Sequence, residues 1–118
     1  MARILFCGGR DFNDLSEVVK AFEEHTPTFV ITGGAKGADT LADKVAKDKG
    51  IDRVVYPANW VKYGKSAGYR RNSLMLKEGK PDLVVAFKGG KGTEMMISLA
   101  EKEGIPTHRF GFNEETGT

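Results

Sequence analysis

The sequence predicts a three-layer α/β fold in which a parallel five-stranded sheet carries helices on both faces. Apolar runs alternate with helical repeats along the chain, two of the runs are apolar on consecutive positions, and glycine-rich turns follow three of them. Consecutive apolar residues are typical of strands buried on both faces. Because strands that alternate with helices form βαβ units with right-handed crossovers, we expect a Rossmann-like sheet in the order 3-2-1-4-5.

Each predicted element has a local signal. Asp14 and Glu17 form a capping-box pattern at the start of the first helix, where apolar residues recur at i, i+3, i+4 and i+7. Gly50 and Gly104 end two later helices, and Pro106 prevents continuation of the last one. In chain order, we predict a strand at 2–9, a helix at 14–24, a strand at 28–32, a helix at 38–49, a strand at 53–57, a loop at 58–68, a helix from Ser66 to about Glu78, a strand at 82–87, a helix that ends at Gly104 and a strand at 107–112.

Length and composition indicate one soluble domain. The chain has 118 residues, of which 40% are hydrophobic and 29% charged, as is ordinary for a soluble globule. We expect a single domain over residues 1–112 and a polar tail at 113–118. The sequence has no signal-peptide pattern and no apolar run of about 20 residues, so we expect a cytoplasmic protein without a membrane partner.

The few cysteine and histidine residues exclude several kinds of site. Cys7 is the single cysteine, so no internal disulfide forms, and its place at the end of an apolar strand predicts burial. His25 and His108 are treated as isolated residues without a catalytic role. Two histidines without a second cysteine do not predict a structural zinc site, and we expect neither a metal nor a cofactor.

The net charge of +2 is too small to indicate a nucleic-acid partner by itself. A local basic excess between positions 62 and 77 leaves single-stranded nucleic-acid binding as a lesser alternative to a solvated helix face. The residues of this excess are Lys62, Lys65, Arg70, Arg71 and Lys77.

Three glycine-rich loops follow predicted strands, at the edge where the carboxyl ends of parallel strands meet. None has the P-loop pattern or the GxGxxG fingerprint. Glycines let a ligand approach the backbone, and helix N-termini attract anions, so we expect a phosphate site rather than three plain turns, with the third loop as the best candidate. The candidate ligand-binding residues are Gly8, Gly9, Arg10 and Asp11; Gly33, Gly34, Lys36, Gly37 and Asp39; and Gly89, Gly90, Lys91, Gly92 and Thr93.

Aromatic and basic residues after the third strand form a further candidate group. Trp60, next to Asn59, could stack on a base or serve as a lid or core aromatic. Arg70 and Arg71 point about 100° apart on a helix, so at most one of them aims into the cleft.

Four segments, in the order CGGRDF, ITGGAKGAD, YRRNSLM and FKGGKGTE, resemble the SLOG superfamily, and in particular its small single-domain branch of YspA, cpYpsA-related proteins. The superfamily includes the LOG phosphoribohydrolases and the DNA-processing protein DprA. The resemblance covers residues 2–110 and implies a Rossmann-like fold that binds nucleotides or nucleotide-derived ligands. Related folds often complete their cleft from a neighbouring copy, so a homodimer or higher homo-oligomer stands beside a monomer as an alternative.

The resemblance assigns roles to single residues. It implies that the GGKGT loop binds phosphate and that Arg71 corresponds to the catalytic arginine of the RKxxM motif of LOG enzymes, whose lysine is Asn72 here. The LOG glutamate, three positions after the threonine, is replaced by Met96, and the proline of that motif by Lys88.

Two functions therefore remain open. The first is sensing or sequestration of a nucleotide-derived ligand. The second is hydrolysis or transfer at the N-glycosidic bond of a nucleoside phosphate, for which Arg71, Glu94 and Asp11 are the candidate catalytic residues. Acids in the first turn of a helix, such as Asp39 and Glu94, are favoured by the helix dipole in any case.

Overall fold

The computed structural model describes residues 2–110 and alternates strands with helices. The strands are β1 (Arg3–Cys7), β2 (Phe29–Thr32), β3 (Asp52–Val55), β4 (Leu83–Ala86) and β5 (Thr107–Arg109), and the helices are α1 (Leu15–His25), α2 (Ala38–Asp48), α3 (Trp60–Tyr63), α4 (Ala67–Gly79) and α5 (Lys91–Lys102). All strand pairs are parallel, and the order β3-β2-β1-β4-β5 confirms the predicted sheet. Residues 111–112 of the last predicted strand, and the tail, lie outside the described residues.

The prediction of a loop at 58–68 is wrong, because this segment contains α3 and a 3₁₀ turn at Gly64–Ser66. The Asn59 side chain caps α3 by accepting a hydrogen bond from the Lys62 N–H at 3.0 Å. A helix of four residues is too short to show a periodic apolar pattern, so its capping residue is the only sequence signal for it.

Strand β1 lies at the centre of the sheet and contributes to both cores. Ile4 and Phe6 pack on the face that α1 and α2 cover, whereas Leu5 and Cys7 pack on the face under α4 and α5. The burial predicted for Cys7 is confirmed. Because successive side chains of a strand point to opposite faces, one fully apolar strand supports both layers.

The helices that follow β1 and β4 pass to opposite faces of the sheet. Helix α1 packs in the first core, which contains Ile4 and Phe6. Helix α5 packs in the second core, which contains Leu5 and Cys7. The neighbouring strands β1 and β4 therefore form the point at which the chain reverses its winding direction. In open α/β sheets a crevice forms at such a point, outside the carboxyl ends of the strands.

The helices are short and carry polar outer faces. The longest helix within residues 2–110 is α4, with 13 residues. None of the helices in this range is both long and apolar enough to span a membrane.

The aromatic packing around Phe6 predicts a large loss of stability on truncation. Phe6 is fully buried, and its ring stacks on Phe22 at 4.6 Å and on Phe87 at 6.2 Å between ring centroids. We expect Phe6→Ala to lower the free energy of unfolding by about 3–5 kcal/mol, because the cavity removes contacts that the core cannot replace. The fully exposed Val61 gives the control, since Val61→Ala should change it by less than about 0.5 kcal/mol. Urea denaturation measures both values, and equal losses would contradict this description of the core.

Candidate functional site

A cleft of about 750 Å³ opens at the carboxyl ends of β1, β2 and β4. This volume is within the range of sites for small molecules, and residues of all three glycine-rich loops line it. The lining residues that the sequence singled out are Gly8, Gly9, Arg10, Asp11, Gly33, Gly34, Lys36, Asp39, Trp60, Arg71, Asn72, Gly90, Lys91, Gly92 and Thr93.

The backbone of Gly9 joins the three loops. Its N–H donates to the Lys88 carbonyl at 3.0 Å, and its carbonyl accepts from the Ala38 N–H at the start of α2 at 3.2 Å. A β-carbon on Gly37 would overlap the Gly9 carbonyl oxygen, and one on Gly89 would overlap the Gly9 nitrogen. Gly37 and Gly89, expected on the ligand surface, instead pack between loops and do not line the cleft.

The N-terminus of α5 presents backbone donors to the cleft. Among residues 2–110, the N–H groups from Gly90 to Thr93 have no acceptor, and the first bonded one is that of Glu94, which donates to the Gly90 carbonyl at 3.1 Å. By contrast, the first N–H of α2, that of Ala38, already donates to Gly9. The first helical N–H after the third loop is therefore available to an anion, whereas the one after the second loop is not.

Asp39, in the first turn of α2, places a buried carboxylate in the cleft. One of its oxygens accepts from the Gly33 N–H at 2.9 Å and from the Ala35 N–H at 3.4 Å. Burial raises the pKa of Asp39 to about 6, although these two N–H groups and the charge of Arg71 favour the ionised form. The side chain therefore changes charge close to neutral pH.

Arg71 lies beside Asp39 and is half-buried. Its Nη1 donates to the Gly33 carbonyl at 2.5 Å and its Nε to the Asn72 side-chain oxygen at 2.9 Å. A β-carbon on Gly33 would lie 2.6 Å from the Arg71 Nη1 and 3.0 Å from the Asp39 carboxylate. Burial lowers the pKa of Arg71, and the neighbouring Asp39 opposes that change. Gly33 thus allows a cation and an acid to flank the same backbone.

Of the two neighbouring arginines, only Arg71 lines the cleft, in agreement with the prediction. The Arg70 guanidinium lies 4.5 Å from the centre of the Tyr63 ring, and its Nε donates to the Ser66 hydroxyl at 3.1 Å. Ser66 precedes α4 and makes no side-chain cap bond to it.

Comparison with known proteins identifies the family of this chain. The model of the "YspA, cpYpsA-related SLOG family" matches residues 2–63, which is more than half of the chain. The chain belongs to this family. The Gene 61 protein of Mycobacterium phage D29 is 36% identical over 123 residues, covering 94% of this chain and 98% of the phage protein. The SLOG resemblance of the sequence is thus confirmed, and membership suggests a nucleotide-related ligand.

Several residues that line the cleft of this SLOG protein were not predicted from its sequence. Tyr69, with 52% of its surface exposed, is one of them and lines the cleft together with the predicted Trp60, which is 57% exposed. Tyr69 and Met75 belong to the same helix as Arg71, and the spacing from Arg71 to Met75 is i, i+4. A helical-wheel reading around Arg71 could have found Met75. Asn59 lies outside the main cleft, where it caps α3.

The floor of the cleft is apolar. Cys7, Met75 and Met96 are each less than a tenth exposed and line it from below. Burial raises the pKa of the Cys7 thiol, and the nearby charges of Asp39 and Glu94 add to the effect. The thiol therefore stays protonated at neutral pH and does not act as a nucleophile.

Glu94 does not line the cleft, whereas Asp11 does. The Glu94 carboxylate accepts two hydrogen bonds from the guanidinium of Arg109, at 2.7 and 3.0 Å. These bonds lower the pKa of Glu94 and keep it ionised. Its position offers no support for the tentative catalytic role.

The description of the two histidines as isolated is wrong. His25 Nε2 and His108 Nδ1 lie 2.9 Å apart, at the far end of α1 from the cleft. The residues are 83 positions apart in the chain, so only the fold brings them together.

The raised pKa of Asp39 predicts a pH-dependent stability. Because the folded state binds this proton more tightly than the unfolded state, stability falls as the pH rises from about 4 to about 6 and stays lower above that. We expect the unfolding free energy of the wild type, relative to Asp39→Asn, to fall by about 2.5 kcal/mol between pH 4 and pH 7. Subtracting the unfolding free energy of Asp39→Asn from that of the wild type cancels the contributions of the other titrating groups. Urea denaturation at each pH measures both free energies.

The matched control for this titration is Asp48→Asn, in the exposed last turn of the same helix. Its difference from the wild type should vary by less than about 0.5 kcal/mol over that range. If the unfolding free energy of the wild type minus that of Asp39→Asn stays constant or increases with pH, the pKa of Asp39 is not raised in the folded state.

Proposed function

We propose that this SLOG-family protein binds a nucleotide or nucleotide-derived ligand, which it senses or sequesters. The observation that carries the proposal is the cleft in which three glycine-rich loops meet, with the donors of α5 unsatisfied among residues 2–110. Backbone donors at a helix N-terminus suit a phosphate, and the surrounding volume suits a nucleoside.

The charges in the cleft favour one orientation of the ligand. The phosphate lies at Gly90–Thr93, because the carboxylate of Asp39 occupies the start of α2 and repels an anion there. The base extends toward Trp60, whose exposed ring gives it a stacking surface. Arg71 lies between these two ends and contacts the sugar or the phosphate.

Trp60 provides the means of finding the ligand, because it is the only tryptophan of the chain. Titration with nucleoside mono- and diphosphates, ADP-ribose and cyclic nucleotides should quench its fluorescence where a base stacks on it. The corresponding nucleoside without phosphate should bind at least 10-fold more weakly, roughly the contribution of one charge-assisted contact. Mass spectrometry of material that copurifies with the protein identifies the natural ligand directly.

Gly92→Ala separates ligand binding from folding. Gly92 is the second residue of α5, and a β-carbon there meets no atom within 4 Å. The substitution should raise the free energy of unfolding by about 0.5–1 kcal/mol through helix propensity. It should also weaken nucleotide binding at least 10-fold, because the methyl group enters the phosphate position, a loss of about 1.4 kcal/mol.

Two controls accompany Gly92→Ala. Ser98 lies on the exposed face of the same helix, so Ser98→Ala should leave the nucleotide affinity unchanged within about 2-fold. Gly89→Ala should destabilise the protein, because its β-carbon overlaps the Thr93 hydroxyl. If Gly92→Ala binds as tightly as the wild type, the phosphate does not lie on this helix.

Hydrolysis at an N-glycosidic bond is the second candidate, and the proximity of Asp39 to Arg71 favours it. A carboxyl with a pKa of about 6 is suited to proton transfer to or from a leaving base, and a neighbouring cation stabilises developing negative charge. In that case incubation with the bound nucleotide releases free base, which chromatography detects.

Variants assign any such turnover to a residue. Asp39→Asn should reduce it at least 100-fold if Asp39 transfers the proton, a loss typical of general acid–base catalysis. Glu94→Gln should leave it within about 2-fold, since Glu94 is bound to Arg109 outside the cleft lining. Loss of turnover in Glu94→Gln alone would overturn this assignment, and recovery of intact nucleotide from all samples supports binding without chemistry.

A further inference from the structure

Two histidines and a glutamate meet where the end of α1 faces the edge strand β5. His25 Nε2 lies 2.9 Å from His108 Nδ1, and Glu24 Oε2 lies 3.5 Å from the first nitrogen and 3.8 Å from the second. The three potential ligand atoms thus face a common point. We propose that Glu24, His25 and His108 bind a divalent transition-metal ion of the zinc class.

The distances among these atoms match the size of such an ion. A triangle with sides of 2.9, 3.5 and 3.8 Å fits a circle of radius about 2.0 Å, and zinc bonds to imidazole nitrogen and carboxylate oxygen are about 2.0–2.2 Å long. An ion at or slightly above the centre of this triangle lies within zinc bonding distance of all three atoms. Because Glu24 and His108 are partly exposed, a fourth position is open to water.

The chemistry of the ligands selects the class of metal. Two imidazole nitrogens and one carboxylate suit Zn²⁺, Co²⁺, Ni²⁺ or Cu²⁺, whereas Mg²⁺ and Ca²⁺ require oxygen ligands. His25 is the last residue of α1, where the unpaired carbonyls give a partial negative charge that favours a cation.

The fold holds both imidazole rings in place. The ring centroids of His25 and His108 lie 6.4 and 5.4 Å from that of Phe110. Phe110 is buried and packs against Phe87 in the first core. Ligands that are oriented before the metal arrives lose little entropy on binding, which favours affinity.

The metal site is separate from the nucleotide cleft. Helix α1 begins on the cleft side of the sheet and has 11 residues, so its end lies about 16 Å away along the helix axis. The ion would connect the end of α1 to β5, the outermost strand of the sheet. The ion therefore stabilises the attachment of β5 to the rest of the fold. This effect does not depend on the proposed nucleotide binding.

Competition with a chromophoric chelator tests the site on protein freed of any affinity tag. The wild type should bind one Zn²⁺ per chain at micromolar concentrations. At 100 times the dissociation constant, Zn²⁺ should raise the midpoint of thermal unfolding by roughly 10 °C, whereas Mg²⁺ should not. Co²⁺ should give the visible absorption bands of a four-coordinate site.

Single substitutions locate the ion. Glu24→Gln and His108→Gln should each weaken Zn²⁺ binding at least 10-fold, because each removes one of three ligands. The matched control is Glu23→Gln, an exposed neighbour on the same helix, which should bind Zn²⁺ within about 2-fold of the wild type.

Three outcomes would overturn the proposal. The first is binding no tighter than about 1 mM, the affinity of a weak contact. The second is equal affinity in the wild type and in Glu24→Gln, whose exposed side chain makes folding of the variant secure. The third is a thiolate-to-cobalt charge-transfer band, which would place the metal on Cys7.

Discussion

The backbone of Gly9 is the contact on which the geometry of the cleft depends. It bonds to the third loop through its N–H and to the first turn of α2 through its carbonyl. Gly37 and Gly89 approach it so closely that neither has room for a β-carbon. The ends of β1, β2 and β4 are thereby held at fixed distances, and the shape of the cleft follows from this junction.

The same junction gives the cleft its polarity. Gly9 satisfies the first N–H of α2, and the carboxylate of Asp39 accepts from the N–H groups of Gly33 and Ala35 in the loop that precedes this helix. The N–H groups at the start of α5 are left without an acceptor among residues 2–110. Two loops with similar sequences therefore differ in chemistry, because a protein carbonyl binds the first helical N–H of one, whereas that of the other is open to an anion.

The strand order and both cores could be predicted, because continuous apolar runs such as those of β2 and β4 leave few other arrangements. Which glycines line the cleft could not be predicted from the sequence. Gly89 and Gly92 are three positions apart in one loop, yet Gly89 packs on Gly9 and Gly92 faces open space. That difference arises from contacts between segments that are distant in sequence. The meeting of His25 with His108 across 83 positions has the same origin.

Met96 decides how far the likeness to LOG enzymes extends. The resemblance aligns it with their glutamate, and the structure buries it in the apolar floor beside Cys7 and Met75. A carboxylate at that depth would need a partner, because an unpaired buried charge is strongly unfavourable. Asp39 is instead the buried acid of the cleft lining, on the opposite side from α5, and Arg71 and two N–H groups stabilise its charge. The acids that line the cleft are thus Asp11 and Asp39, of which only Asp39 is buried, and a protein that only binds its ligand needs no acid on the floor.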